Sequence, residues 1–258
     1  MDPKNYVRGL SLPVQDDNMP VIQIATRSLG PEDNTDVSES FVNNQSIVSF
    51  VAGVSEQNRQ DILNSTLLAQ LAADKTTENV DDLKAWYKQY TEVLTNIGWV
   101  IEQNEFTDFQ SGSDEFEMNT AIMGIMGAVV DPTQISLITK TLESVKSLGD
   151  DDKRIKVFER KFKRSNKGNF QIGVANETGG TVSFGVGAFL MDTKESTGRF
   201  LFFKTGKART KLTYSGMRCT LNPQVYSQVR DSILEKLGRA PKVFIAKLPD
   251  LGDIDLDI

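Results

Sequence analysis

Beyond an extended, polar first forty residues, the spacing of apolar positions changes near Leu148. Between Gln45 and Leu148 the period is helical. From Gln45, Ile47, Val48, Val51 and Val54 recur at steps of three and four. Ser55 is placed to cap a second helix, with Ile62, Leu63, Leu67 and Leu71 on one face. Val80, Leu83, Trp86, Tyr87, Tyr90, Val93, Leu94, Ile97, Val100 and Ile101 continue the pattern and predict a long amphipathic helix. The acidic, Ser- and Gly-bearing run EFTDFQSGSDEFE breaks it. Pro132 then suits the first turn of a helix carrying Ile135, Leu137, Ile138, Leu142, Val145 and Leu148.

After Lys153 the pattern is that of strands. RIKVFERKF and NFQIGVANE flank the loop KRSNKG, and TVSFGVGAFLM, RFLFFKT, ARTKLTY, MRCTL and KVFIAKL follow between Gly- and Ser-containing turns. One helix interrupts them, opened by Asn222-Pro223 and closed by Gly238, with Val225, Val229, Ile233 and Leu237 inward. The expected fold class is α+β: an N-terminal helical bundle followed by an antiparallel β-sandwich with one C-terminal helix. The expected divisions are an extended arm over 1–40 (with a strand at Val21–Ala25), a bundle over 41–150, the sandwich over 151–248 and an acidic tail over 249–258.

Between the two regimes lies AIMGIMGAVV, Ala121–Val130, without a charge. Its helical neighbours predict a helix. Glycine costs a helix about 1 kcal/mol each, so Gly124 and Gly127 call for compensation. Gly124 and Ala128 share a face, with Gly127 beside them, and small residues let a second helix approach. One reading is a central helix buried on all sides. The other is an apolar hairpin, made with the following helix and released into a membrane, with Ile122, Met123, Gly124, Ile125, Met126 and Gly127 inserting. Ten residues cannot span a bilayer alone, since a helix needs ~20. Insertion would draw on amphipathic neighbours or on an oligomer at the membrane.

Composition narrows the chemistry. The 258 residues carry a net charge of −6, with 39% hydrophobic and 25% charged residues. This is ordinary for a globular protein and argues against a general nucleic-acid binder. There is no histidine, which excludes imidazole bases, His-dependent triads and His-ligated zinc. Carboxylate or thiol chemistry survives that exclusion. Cys219 is the only cysteine, so no intrachain disulfide forms. It reads as a buried thiol, with a thiol site as the alternative because Arg218 adjoins it. No phosphate-binding or nucleophile-elbow motif is present, and no cofactor is expected. No transmembrane helix or Sec-type leader is legible, which leaves a cytoplasmic protein or one exported without such a signal.

Charge is uneven. Lys153, Arg154, Lys156, Arg160, Lys161, Lys163, Arg164 and Lys167 cluster against one acid, Glu159. Interleaved with Phe158 and Phe162, the set Lys156, Arg160, Lys161, Lys163 and Arg164 is a candidate for anionic lipid head groups; a solvated hairpin edge is the alternative. Asp253, Asp255 and Asp257 alternate in the tail. They suit a solvated or partner-binding segment better than Ca²⁺, because the EF-hand glycine and bidentate Glu are missing.

FQIGVANETGGT, Phe170–Thr181, resembles the first strand and turn of actinoporin-like cytolysins. The resemblance spans this segment alone, and it implies a β-sandwich that docks on membrane beside a helical segment. The long helical half and the scarcity of Tyr and Trp after Lys153 depart from that family, so none of its lipid contacts is carried over. The expectation is therefore a non-enzymatic toxin or effector that meets an anionic membrane surface. The alternatives are a protein-interaction or assembly component, engaged through the arm or the tail, and a His-independent enzyme.

Overall fold

A computed structural model describes residues 2–14, 36–77, 82–112, 114–159, 167–194, 201–206 and 209–249. Helices and strands alternate through it: α1 (Pro3–Gly9), β1 (Glu39–Asn43), β2 (Ser46–Phe50), α2 (Glu56–Thr76), α3 (Leu83–Asn96), β3 (Trp99–Gln103), β4 (Thr107–Asp108), β5 (Glu115–Glu117), α4 (Met118–Met126), α5 (Pro132–Ser147), α6 (Lys153–Glu159), β6 (Lys167–Thr178), β7 (Thr181–Thr193), β8 (Lys204–Gly206), β9 (Thr210–Leu221), α7 (Pro223–Leu237), α8 (Ala240–Phe244) and β10 (Ile245–Lys247). The α+β character holds, but the expected bundle followed by a sandwich does not. Strands from both sides of Leu148 enter one mixed sheet, in the order β10-β1-β2-β6-β7-β9-β3, with β4 also on β9 and β5–β8 a separate ribbon. β2 and β6 run parallel; the other neighbours are antiparallel.

Helices cover both faces. α1, α2, α3, α7 and α8 share one core with Val186, Ala188, Met217 and Cys219 of the sheet. α4, α5 and α6 share the other with Phe170, Ile172, Phe189 and Leu212. This explains two departures from the sequence reading. β2 is buried at all five positions, and a strand covered on both faces has no polar side to alternate with, so its apolar run passes for a helix. RIKVFERKF begins as helix α6 rather than as a strand, because Ile155 and Phe158, three apart, are its buried apolar residues, with Glu159 beside them. α3 ends at Asn96, and Val100 and Ile101 belong to β3.

Local capping follows the sequence elsewhere. Asp131 and Gln134 form a capping box at α5, with Pro132 in its first turn. Asn222 caps α7 through the amides of Gln224 and Val225, and Gly238 ends it at positive φ. The β1–β2 turn is polar yet buried. The Gln70 amide donates to Asn43 O and Ser46 Oγ, and its oxygen accepts from Gln45 N. Asp61, buried in α2, takes a bidentate ion pair from Arg230 of α7.

Ala121–Val130 is a helix followed by a turn, and its buried side meets the sheet. Met118, Ala121, Ile122, Ile125 and Met126 are buried. Beneath them β7 and β9 carry glycines. A Cβ on Gly185 would stand 2.5 Å from Val130 Cγ1, one on Gly187 2.6 Å from Met126 Sδ, and one on Gly216 2.7 Å from Val129 Cγ2. Glycine weakens a strand, and here it marks a close approach of another element. Gly124, Gly127 and Ala128 are exposed. The small-residue face therefore looks outward and is not a helix–helix seam.

Gly216→Val should accordingly cost about 1–3 kcal/mol by overpacking against Val129. Gly124→Leu meets open space, with nothing within 4 Å of a Cβ there, and should be neutral or stabilising by up to about 1 kcal/mol through helix propensity. Urea midpoints measure both; equal destabilisation would contradict the orientation of α4.

Candidate functional site

The α4–α5 layer stops short of one end of the sheet, and there the strands are bare. Register aligns Val100 of β3 with Thr220 of β9, Thr220 with Ser183 of β7, and Ser183 with Asn176 of β6. The next row on this face holds Glu102, Arg218 and Gly185. Val100, Glu102, Arg218, Thr220 and Ser183 are exposed, Val100 to 61%. The α4–α5 turn, Val129 to Asp131, walls the row. The result is a cleft of about 530 Å³ that also reaches Gln134.

Arg218 fixes the wall. Its Nε donates to Val129 O and its Nη2 to Ala128 O, each at 3.1 Å. These are carbonyls at the end of α4, where the helix has no further amides to offer and where a cation is favoured. Ser183 Oγ donates to Asn176 Oδ1 at 2.7 Å. The cleft thus mixes an arginine, two carboxylates (Glu102 and Asp131), amide and hydroxyl groups, and the apolar Val100, Val129 and Val130.

β3 borders the cleft as the outermost strand of the sheet. Asn222 N donates to Gly98 O and Asn104 N to Gly216 O, both at 2.9 Å. Antiparallel pairing alternates, so Val100 and Glu102 also turn their backbone groups toward β9. The N–H and C=O of Ile101 and Gln103 then point outward. Sequence reading missed this arrangement because its residues lie up to 120 positions apart and only register joins them.

The residues singled out from the sequence are dispersed. Ile122, Met123, Gly124, Ile125, Met126 and Gly127 lie in or at the end of α4, whose tail walls the cleft. Lys156, exposed on α6, pairs with Asp151 at 2.9 Å. Arg160, Lys161, Lys163 and Arg164, together with Val21–Ala25 and the acidic tail beyond Pro249, lie outside the described residues. Cys219 sits on the opposite face from Arg218, buried in the α2–α3 core. Burial pushes its thiol up to about 12, and a protonated thiol is a poor nucleophile. Among the described residues, no group of three or more Cys, Asp or Glu is placed to hold a metal ion, and no helix is long and apolar enough to cross a membrane.

No protein-family model and no curated protein matches the chain. Solved structures to which the chain shows a distant similarity include the following two. One is a delta-endotoxin, at 10% identity and TM-score 0.41, covering 82% of this chain and 90% of that one. The other is the Evf virulence factor, at 10% identity and TM-score 0.35, covering 99% and 93%. Both scores lie below 0.5, and no residue role passes from either protein to this one. The actinoporin-like resemblance is corrected: Phe170–Thr181 does form a strand and turn, but as β6 and its link to β7 in a mixed sheet between helices.

The buried thiol gives a signed pH prediction. The folded-state value lies above the ordinary 9.0, so the unfolded chain ionises first, and stability contributed by the neutral thiol falls as pH rises from about 9 toward 12. Burial raises Tyr87 and Tyr226 as well, which adds to the loss at the alkaline end. Cys219→Ser should flatten the thiol's share in urea unfolding across this range. Its midpoint at neutral pH should drop, because a buried hydroxyl needs a partner. Activity lost at unchanged stability would instead make Cys219 a reactive site.

Proposed function

We propose that this chain is a non-enzymatic binding protein of the effector or toxin type, which engages a protein partner at the bare end of its sheet. The observation that carries the reading is the row Val100–Thr220–Ser183, walled by Val129 to Asp131 and exposed among the described residues, at the end of a sheet whose centre is covered on both faces. Sheets between helix layers are ordinarily covered, and an exposed mixed surface beside an open edge suits peptide recognition. Two of the polar groups at hand are engaged in positioning: Arg218 holds α4, and Asp131 caps α5. The full chain, panned against displayed random peptides, should enrich binders that Ser183→Arg abolishes by filling the cleft. Enrichment indifferent to Ser183→Arg would overturn the assignment.

One observation favours a membrane-directed version of the same role. α4 has nine residues, about 14 Å of rise, too short to cross hydrocarbon ~30 Å thick. The strands beneath the α4–α5 layer, β6, β7 and β9, have 12, 13 and 12 residues, more than the ~9–11 of a membrane-crossing strand. In this version Lys156, Arg160, Lys161, Lys163 and Arg164 meet anionic lipid, and the segment Ile122–Gly127 leaves its glycine floor. A Cβ on Gly185 lies 3.8 Å from Val130 Cβ, the separation of a disulfide. Gly185→Cys with Val130→Cys, in a Cys219→Ser background, therefore locks the segment. The protein-partner reading predicts no dye release from anionic phosphatidylserine vesicles, reduced or oxidised. Leakage that stops on oxidation and returns on reduction would transfer the function to the membrane.

A further inference from the structure

We propose that β3 receives a short extended strand of the partner, carrying Lys or Arg beside Glu102 and an apolar side chain beside Val100. This rests on the binding reading above and names the chemistry of the partner. Three observations carry it. First, the N–H and C=O of Ile101 and Gln103 point outward, as the bonds of Gly98 and Asn104 to the other side require, and among the described residues no strand pairs with them. Second, the ladder is bounded. Gln103 faces Met217 whereas Thr107 faces Tyr214, so four steps on the edge match three on β9. A bulge thus ends regular pairing after Gln103 and limits an added strand to about five residues.

Third, the edge has a charge to be met. Asp108 at the far end is held by Lys211 at 3.0 Å and Thr213 at 2.7 Å. Glu102 and Glu105 are exposed and have no ion-pair partner among the described residues. Acids along an edge discourage pairing with a second copy, since like charges across strands destabilise, and favour a basic strand. Glu102 and Val100, two apart, lie on the cleft side of β3. An added strand alternates likewise, so its basic and apolar residues are also two apart and face the cleft.

The test extends the panning of the full chain. Enriched peptides should carry Lys or Arg two positions from Val, Ile, Leu or Phe. A synthetic representative should lose roughly tenfold in affinity, a change of about 1.4 kcal/mol, on Glu102→Lys, and should weaken as salt rises. Gln103→Pro removes one outward N–H, leaves the β9 ladder intact, and should weaken binding similarly; N-methylation of alternate peptide amides should do the same. Circular dichroism and melting temperature confirm that both variants fold. Affinity unchanged by Gln103→Pro and by N-methylation, with Ser183→Arg still abolishing it, would overturn strand addition and leave the cleft reading standing. Peptides without the basic–apolar spacing would overturn the stated partner chemistry. No enrichment would overturn both.

Discussion

The fold depends on how closely α4 and its following turn approach the sheet. A mixed sheet buried on both faces needs two helix layers, and the layer of α4, α5 and α6 is the slighter one. Its contact is secured by removing side chains from the strands rather than by adding them to the helix. Gly185, Gly187 and Gly216 leave room into which Met126, Val129 and Val130 descend, and Arg218 holds the last carbonyls of the segment from the side. Strand glycines weaken a sheet taken alone. Burial of Met126 and Val129, and partial burial of Val130, offset that cost only while α4 stays seated.

The same contact creates the bare end. The chain leaves the glycine floor at Val130, is turned by the Asp131 cap, and runs away as α5 before reaching the last row of the sheet. Val100, Thr220 and Ser183 are uncovered for that reason, and the wall of the cleft is the end of the segment that covers its neighbours. Structural seat and candidate binding surface thus share Val129, Val130 and Arg218. A change that loosens the seat would reshape the cleft, and one that fills the cleft need not disturb the seat.

Elements that carry their own chemistry were legible in the sequence. Asn222-Pro223 with Gly238, and Asp131-Pro132 with Gln134, fix helix ends by local hydrogen bonds that no distant residue decides. α3 showed its stripe because one face stays wet. β2 did not, since burial on both faces leaves no alternation to read, and α6 was hidden because Ile155 and Val157 imitate a strand. The cleft was not legible at all: Glu102, Ser183 and Arg218 become neighbours only through strand register. The small residues of Ala121–Val130 were noticed, but their outward orientation depends on glycines some 60 to 90 positions away.

Residue-resolved amide hydrogen exchange tests this account most directly. If the sheet is sealed where α4 sits and open at β3, the amides of Val186 to Phe189 and of Met217 and Cys219 should exchange only through global unfolding. Those of Ile101 and Gln103 should exchange orders of magnitude faster. Fast exchange in the centre of β7 and β9, or protection of Ile101 and Gln103 equal to theirs, would contradict it.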